Sequence, residues 1–427
     1  NVADLLVDGH SDGAYAVLRF DADCGAREAA AVEIDYRLFF DLDPTHRGLL
    51  RFERGGAAQT GVLSPERPRL EFKAGEVSRL SQFFDYLREL NYYDDPRDTV
   101  ADVFERFFPG RNDVHRLLLE PIAYANGSTL EDPAVAYGIV FSNFMSKGVF
   151  TFTGGTDGLI RAMKAELEAN GVALFNNAEV ERIVVEGRRA VGVQSGGRFI
   201  AAKAVLSNAN LKHTVLKLCG EQHFTPDFVG GLKAVRLNNS STQVYIGIRE
   251  GAVVPWVTDL LFTSTRERFD SPALCDMHGL SRTFSFYYPK TRPGSTRFSI
   301  VSSTNANWND WATLNDADYE REKQALIETT LAQLERYVPD IRAIADHVEA
   351  ATPRTFAFYT QHAQGASFGT KWEGLRYSME LSREVDGLYH SGSVGIIMSG
   401  WLGAANYGVI TANKIDQFLF SIAEARA

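Results

Sequence analysis

The sequence has few cysteines, no block of basic residues and no long apolar run. Its three cysteines are far apart and lack C-x-x-C spacing: Cys24, Cys219 and Cys275. This argues against a disulfide framework and a metal site, and it favours a reducing, cytoplasmic compartment. No stretch of about 18 apolar residues occurs, so no segment is predicted to cross a bilayer. The formal net charge of -10 argues against nucleic acid as a partner.

A further absence concerns nucleotide binding. The G-x-G-x-x-G turn, which places glycine backbone against a dinucleotide, does not occur in the 427 residues. The chain also begins with Asn1 and not with an initiator Met. We therefore expect the N-terminal end of the natural protein to lie outside this sequence. Expectations about activity concern that longer parent chain.

The composition is that of a large globular protein. Apolar residues make up 45% and charged residues 23% of the sequence, which are not the proportions of a disordered chain. A chain of 427 residues exceeds one hydrophobic core of ordinary size. We therefore expect two domains, either sequential or interleaved.

Local patterns predict strands and loops over residues 1–95, followed by helices. Asp98 or Thr99 is predicted to cap a helix that ends before a Pro-Gly pair, and a second helix is predicted over 112–125. Residues 210–350 have the pattern of a separate α+β segment. Its predicted strands are STQVYIGIR, RTFSFYYP and TRFSIVSS. Its long helix is predicted to turn inward the side chains of Leu326, Leu331, Leu334 and Val338.

The best-defined pattern lies between residues 150 and 209. Gly154-Gly155 precedes a predicted helix that stops at Asn170-Gly171. The helix carries on one side the residues Ile160, Met163 and Leu167. The segments VALF, VERIVVE, AVGVQ and FIAAKAVLSNA then predict one strand followed by a three-stranded meander.

Residues 387–411, GLYHSGSVGIIMSGWLGAANYGVIT, combine six glycines with a predicted strand, a turn and the start of a helix. Glycine removes side chains that would keep backbone away from a large flat ligand. The helix start offers unpaired N–H groups and a partial positive charge to anionic or carbonyl oxygens. This segment indicates a cofactor site, with a tightly packed glycine-rich corner and no ligand as the alternative.

Two stretches together resemble the FAD-dependent phytoene desaturase family within the flavin amine oxidase-like superfamily. The first is KGVFTFTGGTDGLIRAMKAELEANGVALFNNAEVERIVVEGRRAVGVQ, and the second is GLYHSGSVGIIMSGWLGAANYGVITANK. The family includes carotenoid desaturases, carotenoid isomerases and retinol saturases. The similarity extends over roughly residues 120–425.

The resemblance implies an α/β fold. A Rossmann-like FAD/NAD(P)-binding domain, built from discontinuous segments, would carry an inserted α+β substrate domain. The N-terminal FAD βαβ unit would be absent, and residues 1–149 would belong mostly to the substrate domain. Residues 150–209 would form an FAD-domain segment with the meander. Residues 210–370 would form the substrate domain and 371–427 the C-terminal FAD-domain segment.

The resemblance also implies the residues that contact FAD. Val180 would touch the adenine, while Asn208 and Ala209 would approach the cofactor from the end of the VLSNA strand. The C-terminal motif would line the pyrophosphate, the ribityl chain and the flavin edge with Gly392, Ser393, Gly400, Trp401, Gly403 and Ala404. Family members commonly have an acidic residue where Ser393 stands, so this chain departs from the pattern there. No catalytic residue is assigned.

The implied reaction is oxidation, reduction or isomerisation of carbon–carbon bonds in a long isoprenoid such as a carotenoid or retinoid. Such a hydrophobic substrate would be taken up during peripheral contact with a membrane surface. A desaturase would pass electrons to oxygen or a quinone, and a saturase would need an external reductant. Two aromatic clusters suit an apolar tunnel or simply core strands: Phe141, Phe144, Phe150 and Phe152, and Phe284, Phe286, Tyr287 and Tyr288.

Two other functions are considered. Residues 365–369 match G-x-S-x-G, the nucleophile elbow of serine hydrolases with Ser367 as nucleophile, after the predicted strand TFAFYT. Asp386 and His390 follow too closely for the acid and base of that architecture. The second alternative is a non-enzymatic lipid- or prenyl-binding protein on the same scaffold, similar to Rab GDP-dissociation inhibitors.

Three further side chains are possible participants. His390 precedes the glycine-rich turn and either donates to a flavin carbonyl or relays a proton, or is a structural histidine at a strand end. Arg354 and His362 precede the small-residue run QGASFG and are candidates for the same cavity.

Overall fold

The structure is a computed structural model. It describes residues 2–10, 13–20, 31–35, 48–54, 57–63, 68–73, 78–90, 98–147, 150, 152, 154–263, 270–279, 281–291, 295–395 and 400–424. The chain divides into two units, residues 1–86 and 87–427. Cys24 lies outside the described residues.

The first unit contains antiparallel strand pairs. Its elements are β1 (Val2–His10), β2 (Gly13–Phe20), β3 (Ala31–Asp35), β4 (Gly48–Arg54), β5 (Ala57–Leu63), β6 (Arg69–Lys73) and the start of α1 (Ser78–Glu89). The pairs are β1 with β2, β3 with β6 and β4 with β5. The prediction of strands is confirmed here, but α1 was not predicted. Its apolar residues recur at helical spacing, and among them Phe83 and Leu87 are buried.

The second unit begins with α2 (Val100–Phe107), α3 (Asn112–Asn126) and α4 (Ala134–Lys147). The predicted cap is confirmed, because the Thr99 side chain and Asp102 form a reciprocal capping box at the start of α2. The second predicted helix is confirmed as α3, which ends at Gly127 with a left-handed φ of 76°.

The block around the meander differs from its prediction in two places. The elements are α5 (Gly155–Ala169), β7 (Val180–Glu186), β8 (Arg189–Ser195), β9 (Arg198–Ala201) and β10 (Val205–Ser207). The helix and a three-stranded sheet of β7, β8 and β9 are confirmed. Residues 172–175 form no strand, because no strand of the described chain pairs with them. FIAAKAVLSNA is not one strand but two, since the chain changes partner between β9 and β10.

Short helices connect β10 to an antiparallel sheet. They are α6 (Leu211–His213), a π-helix (Thr214–Gly220), a 3-10 turn (Glu221–His223) and α7 (Pro226–Ala234). The sheet segment comprises β11 (Ser240–Ile248), β12 (Leu260–Thr263), α8 (Ser271–Leu274), β13 (Arg282–Tyr287), a 3-10 turn (Pro289–Thr291), β14 (Ser299–Ala306), α9 (Trp308–Ala312), α10 (Asp316–Leu334), α11 (Ile341–Ile344) and β15 (Ala345–Ala351). The five strands lie in the order β12-β13-β14-β11-β15. The α+β prediction is confirmed. The residues predicted to turn inward are all buried: Leu326, Leu331 and Leu334 in α10, and Val338 just after it.

The last elements are α12 (Pro353–Thr360), a 3-10 turn (Ala363–Gly365), α13 (Gly374–Glu384), β16 (Leu388–His390) and α14 (Gly400–Glu424). The predicted strand TFAFYT is wrong, because these residues lie in α12. Thr352 caps that helix and Pro353 occupies its first turn, where proline is favourable. No described helix is long and apolar enough to cross a membrane.

Two of the hydrophobic cores among the described residues organise the sheets of the second unit. One lies on the antiparallel sheet and includes Phe284, Leu334 and Trp311. The other unites the meander, the helices that follow β10, α13, β16 and α14. Segments far apart in the chain therefore share a core, which is the discontinuous arrangement expected of the FAD domain. The exact domain boundaries remain a prediction.

Candidate functional site

The candidate site lies where two parallel strands end together. β10 pairs with β16 in register from Val205 opposite Leu388 to Ser207 opposite His390. Their carboxyl ends therefore meet, and the turns after them lie side by side. In α/β sheets, ligands bind in the crevice outside the carboxyl ends of the strands.

The predicted residues Asn208 and Gly392 are brought together at this edge. The Asn208 side chain donates a hydrogen bond from Nδ2 to the carbonyl of Ser391 at 2.7 Å. A Cβ atom on residue 392 would lie 3.3 Å from both Nδ2 and the carbonyl oxygen of Asn208. Glycine therefore permits the two turns to approach, and a larger residue would push them apart.

A third segment packs against the predicted residue Ser393. Gly369 has a left-handed φ of +67°, and a Cβ atom there would lie 2.0 Å from the Ser393 carbonyl oxygen. Beside it, Thr370 forms a parallel bridge with Val394 and accepts a hydrogen bond from the backbone N–H of Gly395 at 3.0 Å. The run QGASFGT therefore supports the glycine-rich turn.

A buried ion pair holds this supporting segment in place. The sequence analysis did not predict the pair. Lys371 donates from Nζ to Asp132 Oδ2 and to the Gly127 carbonyl, both at 2.8 Å. The two charged side chains are only 5% and 1% exposed. Arg236 Nη2 lies 3.8 Å from the second carboxylate oxygen. Residues so far apart in the chain give no local signal that they pair.

His390 holds the two strand ends together. Its Nε2 donates to the Ala209 carbonyl at 2.8 Å, so Nδ1 is the acceptor for the Ser378 hydroxyl at 2.7 Å. Ser378 also hydrogen bonds to Tyr407 of α14. Burial lowers the pKa of His390 to about 4, although the bond to Ala209 acts in the opposite direction. Both ring nitrogens are engaged within the protein, which agrees with the structural role considered for this residue.

The start of α14 supplies the remaining predicted residues. Gly400 is exposed with no atom within 4 Å of a Cβ position, and Trp401 is 46% exposed. Gly403 and Ala404 are half-buried in the same turn. The first turn contains no acidic residue, so its partial positive charge is not offset there. Residues 396–399, between this helix and the turn, lie outside the described part of the chain.

Val180 lies apart from this group. It is half-buried as the first residue of β7 and pairs with Ser195 of β8. The meander does connect to the site, because the backbone N–H of Ala190 donates to the Asp386 carbonyl at 2.9 Å, just before β16. Among the described residues, no hydrogen bond or strand pairing joins Val180 to the glycine-rich turn.

The other candidate side chains, Arg354, His362 and Ser367, form no described hydrogen bond to the glycine-rich turn. Arg354 donates to the carbonyls of Trp311 and Ala312, and His362 Nδ1 bonds to the Ala366 carbonyl at 2.8 Å. Ser367 Oγ is buried and has no partner among the described residues. Helix α12 precedes Ser367, whereas a nucleophile elbow follows a strand. The geometry is therefore not that of a serine hydrolase.

The aromatic clusters contribute mainly to cores. Phe284, Phe286 and Tyr288 are buried in the core of the antiparallel sheet. Phe141 is buried and stacks on Tyr137. The remaining residues of the first cluster differ, because Phe150 is 72% exposed, Phe152 contacts Trp401, and the side chain of Phe144 lies outside the described part.

The family profile of flavin containing amine oxidoreductases matches residues 64–394. The chain belongs to this family. Its cofactor is FAD, and the expectation of a flavoprotein with an α/β FAD-binding fold is confirmed.

Curated relatives point to carotenoid enzymes at low identity. The prolycopene isomerase of Daucus carota is 22% identical over 81% of this chain and 57% of its own length. The lycopene-forming phytoene desaturase of a Paracoccus strain is 27% identical over 55% of this chain and 48% of its own length. The chain thus spans about half the length of the curated relatives it matches. Cyclohexylamine oxidase from Brevibacterium oxydans has the same fold, with a TM-score of 0.53, 14% identity, and coverage of 87% of this chain and 81% of that one.

The residues at the strand ends fit a flavin nucleotide. Gly392 leaves bare backbone beside Asn208, and the start of α14 is open above Gly400. The buried Asn210 Nδ2, two residues beyond Asn208, is a donor without a partner in the described part of the chain. A ligand with many acceptor oxygens and a flat ring matches this combination. The residues that would hold FAD are Asn208, Ala209, Gly392, Ser393, Gly400, Trp401, Gly403 and Ala404.

Proposed function

We propose that the protein is an FAD-dependent oxidoreductase that acts on carbon–carbon bonds of a long isoprenoid, as a desaturase, saturase or isomerase of a carotenoid or retinoid. The observation that carries the proposal is the meeting of Asn208 with the Ser391-Gly392 turn at the carboxyl edge of the parallel strands. FAD, when bound, supplies the exchange of a hydride with carbon. The residues of this chain hold the cofactor and the turns around it.

The substrate class rests on the relatives, whose names include prolycopene and phytoene. In a desaturation, two adjacent carbons each lose a hydrogen, one as hydride and one as proton, and the electrons pass on to oxygen or a quinone. An isomerisation leaves the number of hydrogens unchanged. Comparing the mass of the product with that of the substrate therefore separates these reactions.

We also propose that the loop between β11 and β12 contacts a membrane surface. Val253 is 77% and Trp256 is 53% exposed in this loop, and the ammonium of Lys290 lies 3.6 Å from the Trp256 ring centroid. Exposed apolar and aromatic side chains beside a cation suit the boundary between headgroups and acyl chains. Sedimentation with anionic vesicles tests this. Val253→Glu should weaken binding, and Phe358→Glu, at an exposed site on α12, serves as the control.

The decisive test is the absorbance spectrum from about 350 to 500 nm of the purified natural protein, because bound flavins absorb in this range. We expect flavin bands. The next step is an assay with phytoene and with prolycopene in the presence of a quinone as electron acceptor, followed by product mass. A protein that stays colourless with added FAD would contradict the proposal and favour the non-enzymatic lipid-binding alternative.

The placement of the cofactor has its own test. Gly403→Leu should abolish the yellow colour and leave the circular dichroism spectrum unchanged, because the new side chain would occupy the space beside the helix start. Gly408→Leu, five residues further along α14 at a site with no atom within 4 Å, is the matched control. Full flavin occupancy in the Gly403 variant would refute this placement of the site.

A further inference from the structure

A series of buried hydrogen bonds joins the segments that carry the predicted cofactor residues. It runs from Tyr407 of α14 through Ser378 of α13 and His390 of β16 to the Ala209 carbonyl after β10. Tyr407, Ser378 and His390 are 1%, 3% and 2% exposed. Water therefore does not compete for these bonds, which are stronger here than at the surface. We call these four groups the buried network.

The Ala209 carbonyl fixes the direction of every hydrogen bond in the buried network. A carbonyl oxygen only accepts, so Nε2 of His390 carries a hydrogen and donates it at 2.8 Å. The neutral ring then has a bare Nδ1, which accepts from the Ser378 hydroxyl at 2.7 Å. Because the Ser378 hydrogen is used in this way, the hydrogen between Ser378 and Tyr407 comes from the Tyr407 hydroxyl. The three side chains thus donate in one direction, from α14 through α13 to the end of β10.

The members of the buried network lie beside the residues that fit FAD. Ala209 is itself one of them, and His390 precedes Gly392 by two residues. Tyr407 follows Gly403 by four residues in α14, and residues four apart lie on the same side of a helix. The buried network therefore connects the three segments around the cofactor, which are the end of β10, the glycine-rich turn and the start of α14.

Ser378 is the junction between these segments. It shares the buried side of α13 with Leu375 and Leu381. A serine inside a helix usually points to solvent or bonds to the carbonyl four residues earlier, and it stabilises the helix less than alanine does. Here its hydroxyl instead bonds to the side chains of two other elements. The hydroxyl of Ser378 therefore serves the tertiary arrangement and not the helix itself.

We propose that Ser378 and Tyr407 are positioning residues of the flavin site. Neither is among the residues that would contact FAD. They act through His390 and Ala209, because the buried network sets how far the end of β10 lies from the glycine-rich turn and from the start of α14. The inference rests on the placement of FAD in the proposed function and holds whatever the substrate.

A control in the same helix separates positioning from stabilisation of the fold. Thr411, one turn after Tyr407, is 4% exposed and donates its hydroxyl to the Tyr407 carbonyl at 2.8 Å. Thr411→Val removes this buried hydroxyl, retains the shape of the side chain and leaves the buried network intact. It is the matched control for Tyr407→Phe, which removes one hydroxyl from the network and retains the ring.

Titration of the natural protein with FAD, after removal of bound flavin, tests the proposal. Quenching of flavin fluorescence gives the Kd, and visible circular dichroism reports the surroundings of the bound ring. Ser378→Ala should weaken binding by about tenfold and Tyr407→Phe by about threefold, because each loses a buried hydrogen bond between the segments. Both should change the dichroism of the flavin that still binds. Thr411→Val should change neither quantity.

Nitrogen NMR of the His390 ring in the flavin-free protein gives a second readout. Wild type should have hydrogen on Nε2 and a hydrogen-bonded, bare Nδ1. Ser378→Ala should shift the Nδ1 resonance, whereas Thr411→Val should leave it in place. Ser378→Thr keeps a hydroxyl, and its extra methyl group faces a small cavity that Ser382 and Lys414 also line. This variant should regain most of the flavin affinity that Ser378→Ala loses.

Two results would overturn the proposal. One is wild-type affinity with unchanged dichroism in Tyr407→Phe, a variant that keeps its ring packing and decides the matter even where Ser378→Ala fails to fold. The other is a loss of affinity in Thr411→Val as large as that in Tyr407→Phe. A wild-type protein that binds no FAD would contradict both this proposal and the proposed function, whereas unaltered binding in the variants would contradict this proposal alone.

Discussion

Two regions of the second unit differ in how completely they are covered. In the antiparallel sheet, Phe284 and Leu334 are 0% exposed, and α10 lies over strands that have their partners. Around the parallel pair, α5 and residues 172–175 expose their apolar side chains. Both regions have the residue patterns of folded α/β structure. The difference teaches that the antiparallel sheet buries its apolar side chains against elements of this chain, whereas α5 and residues 172–175 leave theirs exposed among the described residues.

The largest expected effect is a direct test of that contrast. Phe284→Ala should lower the free energy of unfolding by about 3 to 5 kcal/mol, because it opens a cavity in a closed core. Phe175→Ala removes the same side chain from an exposed position and should change it by less than about 0.5 kcal/mol. Urea titration of both variants measures the difference. Similar losses would mean that residues 172–175 are covered in solution.

The next prediction concerns the buried ion pair between Lys371 and Asp132. Asp132→Ala leaves the Lys371 ammonium buried without its counter-charge and should cost about 3 to 5 kcal/mol. Asp113→Ala breaks the exposed pair with Arg111 and is the control, with no measurable change expected. The transition midpoint in urea gives both values. A stable Asp132→Ala protein would show that water replaces the carboxylate.

A smaller loss is expected at the support of the glycine-rich turn. Gly369→Ala should cost about 2 to 4 kcal/mol, because it combines a left-handed backbone with a Cβ atom against the Ser393 carbonyl. Gly251→Ala has a similar φ of +81° but open space around the Cβ position, and should cost about 1 kcal/mol. Thermal unfolding compares the two. Equal losses would indicate that backbone strain alone decides the effect.

The smallest effect is the pH dependence contributed by His390. Its pKa is about 4 in the folded protein and near 6.5 when unfolded, so the unfolded state binds the additional proton between these values. Stability should therefore fall as the pH drops from about 6.5 to about 4, by at most about 3 kcal/mol. Urea midpoints measured across this range in wild type and His390→Gln provide the check. An unchanged slope in the variant would assign the effect to other groups.

Much of the second unit could be predicted from local patterns. The capping box at Thr99, the spacing of Leu326, Leu331 and Leu334, and the turn at Asn170-Gly171 each act within a few residues, and the structure has all three features. The glycine-rich turn was also recognisable, because glycine is required where backbone approaches backbone. These signals identify elements but not their partners.

What could not be predicted depends on distant contacts. Residues 172–175 have strand composition, but strand formation needs a neighbouring strand. TFAFYT has β-branched and aromatic residues, but Thr352 and Pro353 start a helix there. The Lys371–Asp132 pair spans more than two hundred residues of the chain, so neither residue signals the other. The contact of the predicted cofactor residue Val180 is still a prediction.

The parallel pairing of β10 with β16 also sets the order in which parts of the protein can fold during synthesis. Asn208 and Ser391, which hydrogen bond at the strand ends, are separated by 183 residues. During synthesis, β11 to β15 leave the ribosome before β16. The antiparallel sheet can therefore form while β10, beside Asn208, still lacks its partner strand. The strand pair beside Asn208 therefore forms last, and a chain cut short before β16 would have a finished antiparallel sheet and a β10 without its partner strand.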